Sequence, residues 1–139
     1  MSYLVDAKVL SESTYKKPDK RVLTWLEEHE AQLHVSVLTL GELQKGISLY
    51  PESRKRAALE KWFKEVLEVF SGRVLPVDQA VALAWGKYYA AQQQAGRKPP
   101  ALDSLVAATA WVHGFTVVSR NTDDSPGVPV VNPWASATV

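Results

Sequence analysis

Apolar residues recur along the chain in short runs and in helical stripes, and the two alternate. Tyr3-Leu4-Val5 is a compact apolar run that stops at Asp6, the signature of a buried parallel strand. Residues 20–29 pair Val22 with Leu26 and end in the charged tail Glu27-Glu28-His29-Glu30. Leu33 to Leu38 is rich in β-branched and aliphatic residues and predicts a second strand. Leu40, Leu43, Ile47 and Tyr50 then follow at helical spacing, closed by Pro51. A second stripe, Leu59, Phe63, Val66 and Phe70, stops at Ser71-Gly72. Arg73 to Val77 reads as a strand, and Asp78 as the N-cap of a helix carrying Val81, Trp85, Tyr88 and Tyr89. The polar stretch from Gln92 to Pro100 predicts a loop, and Ala101 to His113 a helix stopped by Gly114. Phe115 to Ser119 and Val128 to Val131 supply the last strands. Strands alternating with helices predict a three-layer α/β/α sandwich on a mostly parallel sheet of about four or five strands. Such sheets bind ligands beyond the carboxyl ends of their strands, so the chemistry is sought in polar residues just after strands.

Composition narrows the class. The chain has 139 residues, 46% of them hydrophobic, and reads as one domain over residues 1–139. A core of that size needs no metal or disulfide staple. The absence of cysteine removes thiolate zinc sites, catalytic thiols and disulfide frameworks. No apolar run approaches the ~18 residues of a membrane span. The N-terminal MSYLVDAKVL lacks a basic start and a small-residue cleavage site, so the expectation is a cytoplasmic protein without a signal peptide. The formal charge of +1 says little about partners. Its distribution says more, because cations gather at Lys16, Lys17, Lys20 and Arg21 and again between Arg54 and Arg73. Such runs are ordinary solvated helix faces or phosphate-binding surfaces.

The acids are placed more tellingly. Asp6 ends the first strand, Glu42 falls in the first turn of the helix after the second, and Asp103 opens the Ala101–His113 helix. Asn121, Asp123 and Asp124 follow the strand that ends at Ser119. Carboxylates meeting at one sheet edge repel unless cations join them. Hard divalent ions such as Mg²⁺ take oxygen ligands, keep several waters and bridge to phosphates. Each acid also has a structural reading. Asp6 suits a helix cap, Thr39-Leu40-Gly41-Glu42 fits a capping box, Asp103 complements a helix dipole, and Asp123-Asp124 suits a turn. Other constellations fail. His29 and His34 stand one residue too far apart for a zinc-protease helix, and no P-loop, dinucleotide fingerprint or nucleophile elbow is present. Trp25, Trp62, Trp85, Trp111 and Trp134 fall mostly on predicted helices and suit packing better than base stacking.

Four ordered segments carry a resemblance. They are Tyr3-Leu4-Val5-Asp6 leading to Val9-Leu10-Ser11-Glu12; Ser36-x-x-Thr39-x-x-Glu42-Leu43-x-x-Gly46; Asp103 through Ala110; and Val117-Val118-Ser119-Arg120-Asn121. Their order and spacing resemble the PIN domain, and more closely the VapC/FitB-type toxins of bacterial toxin–antitoxin modules, from about residue 2 to Asn132-Pro133-Trp134. The resemblance implies an Mg²⁺- or Mn²⁺-dependent endoribonuclease in which activated water attacks an RNA phosphodiester of tRNA or rRNA. Asp6, Glu42 and Asp103 correspond to the family's metal-site acids. Asn121 holds its fourth catalytic position and Asp124 the supporting one. Ser119, Arg120 and Lys8 are the expected substrate-facing residues. The resemblance also implies a homodimer, a small antitoxin whose C-terminal tail fills the groove, and contact with operator DNA only through that antitoxin.

Three positions depart from the family pattern. Ala7 and Lys8 stand where Thr and Asn usually follow the first Asp, and Ser125 stands where an apolar residue usually follows the acid matching Asp124. Lys8 brings a cation beside the acids, able to pair with Asp6 or to reach solvent. A second reading is therefore an attenuated PIN protein acting mainly as antitoxin partner and operon co-repressor. A DNA nuclease of the flap-processing kind fits less well, because the chain lacks the extra acids and long insertions of such enzymes.

Overall fold

A computed structural model describes residues 1–135, apart from the side chain of Asp124. Its strands are β1 (Tyr3–Val5), β2 (Leu33–Ser36), β3 (Val74–Leu75), β4 (Thr116–Val118) and β5 (Val130–Val131). They form one sheet in the order β3-β2-β1-β4-β5, and every pairing is parallel. The chain builds outward from β1 through β2 to β3, then crosses back to place β4 on the other side of β1. The switch point therefore lies between β1 and β4, and the residues that leave these two strands border the crevice where ligands bind in such sheets.

Successive strand residues face opposite layers. Val5 and Val118 pack with Val9, Val22, Trp25, Leu43, Val66 and Phe70 on one side of the sheet. Leu4 and Val117 pack with Tyr88, Val106, Ala107 and Ala110 on the other. The first layer holds α1 (Ala7–Ser11), α2 (Lys20–Glu28), α3 (Val37–Ser48) and α4 (Arg54–Val69). The second holds α5 (Gln79–Gln94) and α6 (Ala101–His113). The three-layer α/β/α expectation holds, with five strands in the sheet.

Helix signals work as the sequence predicts in most places. Asp78 accepts the Val81 amide at 3.0 Å and starts α5. Gly114, at φ +71°, ends α6 in a left-handed turn that a side chain would resist. Small residues at Ala107, Ala108 and Ala110 are fully buried, so α6 lies close to the sheet. Ser104 turns its hydroxyl to the Ala101 carbonyl and accepts the Trp85 indole N–H at 2.9 Å, which ties α5 to α6. Arg73 donates to the carbonyls of Glu30, Leu33 and Val69, joining the ends of α4, β2 and β3.

Several boundaries differ from the sequence reading. The second strand stops at Ser36 rather than Leu38, because the Ser36 hydroxyl accepts the Leu38 amide at 3.1 Å and caps α3. Thr39 therefore lies inside the helix, and Thr39 and Glu42 form no capping box. Glu42 sits in the second turn rather than the first. The five-residue α1 has no periodic signal of its own, and α5 runs on to Gln94, into the stretch read as loop.

Candidate active site

Asp6 leaves the carboxyl end of β1, and its Oδ1 accepts the Val9 amide at 3.0 Å. The structural reading of Asp6 as a cap is thus correct, yet capping engages one oxygen only. The Ser119 hydroxyl, just beyond β4, hydrogen-bonds to the same carboxyl across the switch point. Ser119 is itself buried, and its Oγ accepts the Asn121 amide at 3.2 Å. One serine therefore sets both the first acid and the loop that carries Asn121.

Glu42 reaches the same place from α3, and Asp103 from the first turn of α6. The two helices belong to opposite layers, yet each presents an acid at the carboxyl edge of the sheet. Asp6, Glu42, Asp103, Ser119 and Asn121 line one small cleft of about 70 Å³, with Ala7 and Lys8 at its border. The side chain of Asp124 lies outside the described residues; its backbone belongs to the short 3-10 turn Thr122–Asp124 after Asn121. Arg120 points elsewhere. Its guanidinium stacks over the Trp134 ring at 4.8 Å, and it does not line the cleft.

Charge crowding is legible in the acids. Burial pushes the Asp6 carboxyl above its ordinary value, opposed by the Ser119 hydrogen bond, the Val9 amide and the Lys8 charge. Burial also raises Glu42, and the negative charges of Asp103 and Asp6 raise it further, against Lys45 and Lys8. The three carboxylates thus feel one another, and Lys8 relieves two of them. The donor set consists of hard oxygens and fits a hard divalent cation. Among the described residues, however, no three His, Cys, Asp or Glu side chains gather closely enough to hold a metal ion. The acids line a common cleft without forming a closed cage, an arrangement suited to a cation that keeps much of its water shell.

The sequence matches the PIN domain family over residues 3–125. The chain belongs to the PIN domain family. A VapC ribonuclease of Sinorhizobium fredii is 32% identical over 138 residues, covering 96% of this PIN chain and 99% of the relative. The toxin FitB of Neisseria gonorrhoeae is 33% identical over 135 residues, covering 94% and 97%. The solved structure of FitAB bound to a DNA fragment superposes with a TM-score of 0.90 at 32% identity, covering 95% of each chain.

A wider groove adjoins the PIN cleft and shares Ala7, Lys8 and Glu42 with it. It measures about 300 Å³ and is walled by Tyr15, Leu43, Ile47, Tyr50, Leu59 and Trp62, with Ser11, Thr14 and Lys55 among them. The Trp62 indole N–H donates to Ser13 at 3.1 Å, which fixes the ring at the groove wall. Sequence reasoning assigned Trp62 to packing. The signal that could have found the groove is that α4 carries more large apolar residues than one buried stripe requires.

Proposed function

We propose that this PIN domain is the toxin of a type II toxin–antitoxin module, a divalent-metal-dependent endoribonuclease that inhibits translation by cutting tRNA or rRNA. The observation that carries this reading is the convergence of Asp6, Glu42, Asp103 and Asn121 on one cleft at the sheet's switch point. Asp6, Glu42 and Asp103 are the residues that would hold Mg²⁺ or Mn²⁺, with Asn121 and Asp124 in support. When bound, the ion would neutralise phosphate charge and activate water for hydrolysis. The chain's own residues do the rest. Ser119 orients Asp6, while Lys8 offers a cation to substrate phosphate at the cleft border. Arg120 is held over Trp134 and would meet RNA only if that stack opened.

The relatives' names and the FitAB–DNA complex support an antitoxin partner, with operator DNA contacted only through it. The apolar groove beside the cleft fits the antitoxin's C-terminal tail, since a peptide lying there would reach Glu42 and Lys8. The same reading makes the protein a cytoplasmic homodimer. No helix among the described residues is long and apolar enough to cross a membrane. Cleavage of purified tRNA and rRNA tests the assignment. Asp6→Asn, Glu42→Gln and Asp103→Asn should each lower the rate roughly 100-fold or more, the scale of several kcal/mol of metal-borne stabilisation. Variants that cleave as fast as the parent would contradict it.

Lys8 favours a refinement, in which activity is attenuated because its charge stands against Asp6 and Glu42 and competes with a metal ion. Ala7→Thr combined with Lys8→Asn should then raise the cleavage rate and lower the metal concentration needed for half-maximal activity. No gain in either would sink the attenuation reading and leave the nuclease reading intact.

A further inference from the structure

On the opposite flank from the apolar groove, the α5–α6 connection Gly96-Arg97-Lys98-Pro99-Pro100 borders a second hollow of about 260 Å³, closed by Asp123 and Pro126. The walls of this hollow run on in sequence into those of the acidic cleft, with no residue common to both. Pro100 lies one helical turn before Asp103 on α6, and Asp123 lies two residues after Asn121. The loop is built rather than loose. Gln92, buried at the end of α5, accepts the Arg97 amide on its carbonyl and the Arg97 Nε–H on its Oε1, both at 2.8 Å. The Tyr88 hydroxyl donates to the Pro126 carbonyl at 2.6 Å and anchors the facing wall. Gly96, at φ +80°, supplies the turn that brings Arg97 back onto Gln92, and Pro99 is buried beneath. Arg97 and Lys98 are exposed at the rim.

A cleft of acids repels the polyanion it has to admit, so a nucleic-acid strand entering it needs cations at the border. Lys8 serves one border, and Arg120 is engaged over Trp134. We infer that Arg97 and Lys98 form a phosphate subsite on the α5–α6 flank, taking a backbone phosphate of single-stranded RNA next to the one in the acidic cleft. The inference rests on the ribonuclease reading above and adds the direction in which the strand leaves the site. Gln92 is its positioning residue, holding the Arg97 guanidinium at the rim. Asp123 shares the hollow and opposes the bound phosphate, which gives the subsite an internal control of opposite sign.

Affinity for a labelled, mixed-sequence single-stranded RNA oligonucleotide, measured across a salt series, tests the subsite in the Asp6→Asn background, where the strand stays intact. Arg97→Gln with Lys98→Ala should weaken binding and lower the slope of log K against log salt by about 0.7 for each phosphate no longer neutralised. Asp123→Asn should tighten it. In the cleavage-competent chain the double substitution should raise KM and leave kcat at saturation near the parent's. Lys98→Ala alone, which removes no internal hydrogen bond among the described residues, should give part of both effects without lowering Tm. An unchanged slope and an unchanged KM in the double variant would overturn the subsite while the parent still cuts RNA. A parent that neither binds nor cuts RNA would overturn the ribonuclease reading, and the subsite with it.

Discussion

Asp6 serves two purposes that conflict. It caps α1 through Val9, which any capping Asn would also do, and it keeps a half-buried charge beside Glu42 and Asp103. Burial raises both Asp6 and Glu42, so each proton is held more tightly in the folded chain than in the unfolded one. Their contribution to stability is therefore complete below the ordinary carboxylate range and is lost as pH rises through the raised folded-state values. In metal-free buffer, the parent should gain Tm on acidification through that window. Asp6→Asn keeps the cap and removes the charge, so it should raise Tm at neutral pH and flatten that gain, while its cleavage falls. A lower Tm for Asp6→Asn at neutral pH would contradict this conflict of roles. Such opposition between stability and site chemistry is common where charges are gathered for function.

At the scale of elements, what was legible depended on how locally each feature is determined. The stripes of α4 and α5, the Asp78 cap and the Gly114 stop are local patterns, and the structure reproduces them. The Gly114 stop predicts a measurable cost. A Cβ built there meets nothing within 4 Å beyond its own chain neighbours, so Gly114→Ala meets only the left-handed backbone penalty. It should cost about 1 kcal/mol, or roughly 3–5 °C in Tm. An unchanged Tm would show that the turn relaxes. The five-residue α1 escaped the sequence reading because a helix so short is stabilised by packing of Val9 and Leu10 rather than by its own pattern. The capping box at Thr39 misled for the opposite reason. Ser36 and Thr39 both suit an N-cap, and only the end of β2 decides between them. The acids at strand ends were legible because the topology of a parallel sheet dictates where to look. The stacking of Arg120 on Trp134 and the looseness of the carboxylate group were not, since both are set by how separate segments meet in space.

At the scale of the whole molecule, a formal charge of +1 conceals a division of labour. Three carboxylates collect at one cleft, Lys8 lines it, and Arg97 and Lys98 stand at the hollow on the α5–α6 side. The mainly apolar groove, which also carries Lys8 and Lys55, lies on the α1–α3–α4 side, and the hollow of Arg97 and Lys98 on the α5–α6 side. Because Glu42 and Lys8 belong to both cleft and groove, occupation of the groove is well placed to interfere with the chemistry. All of this depends on the carboxylates working through a divalent ion. The decisive experiment titrates Mn²⁺ into chelator-treated protein while RNA cleavage and Tm are followed together. EDTA should stop cleavage, and Mn²⁺ should restore it and raise Tm with ion concentration as ligand linkage requires. Asp6→Asn should abolish the cleavage and blunt the Tm rise. Cleavage that persists undiminished in EDTA would contradict a metal-dependent site.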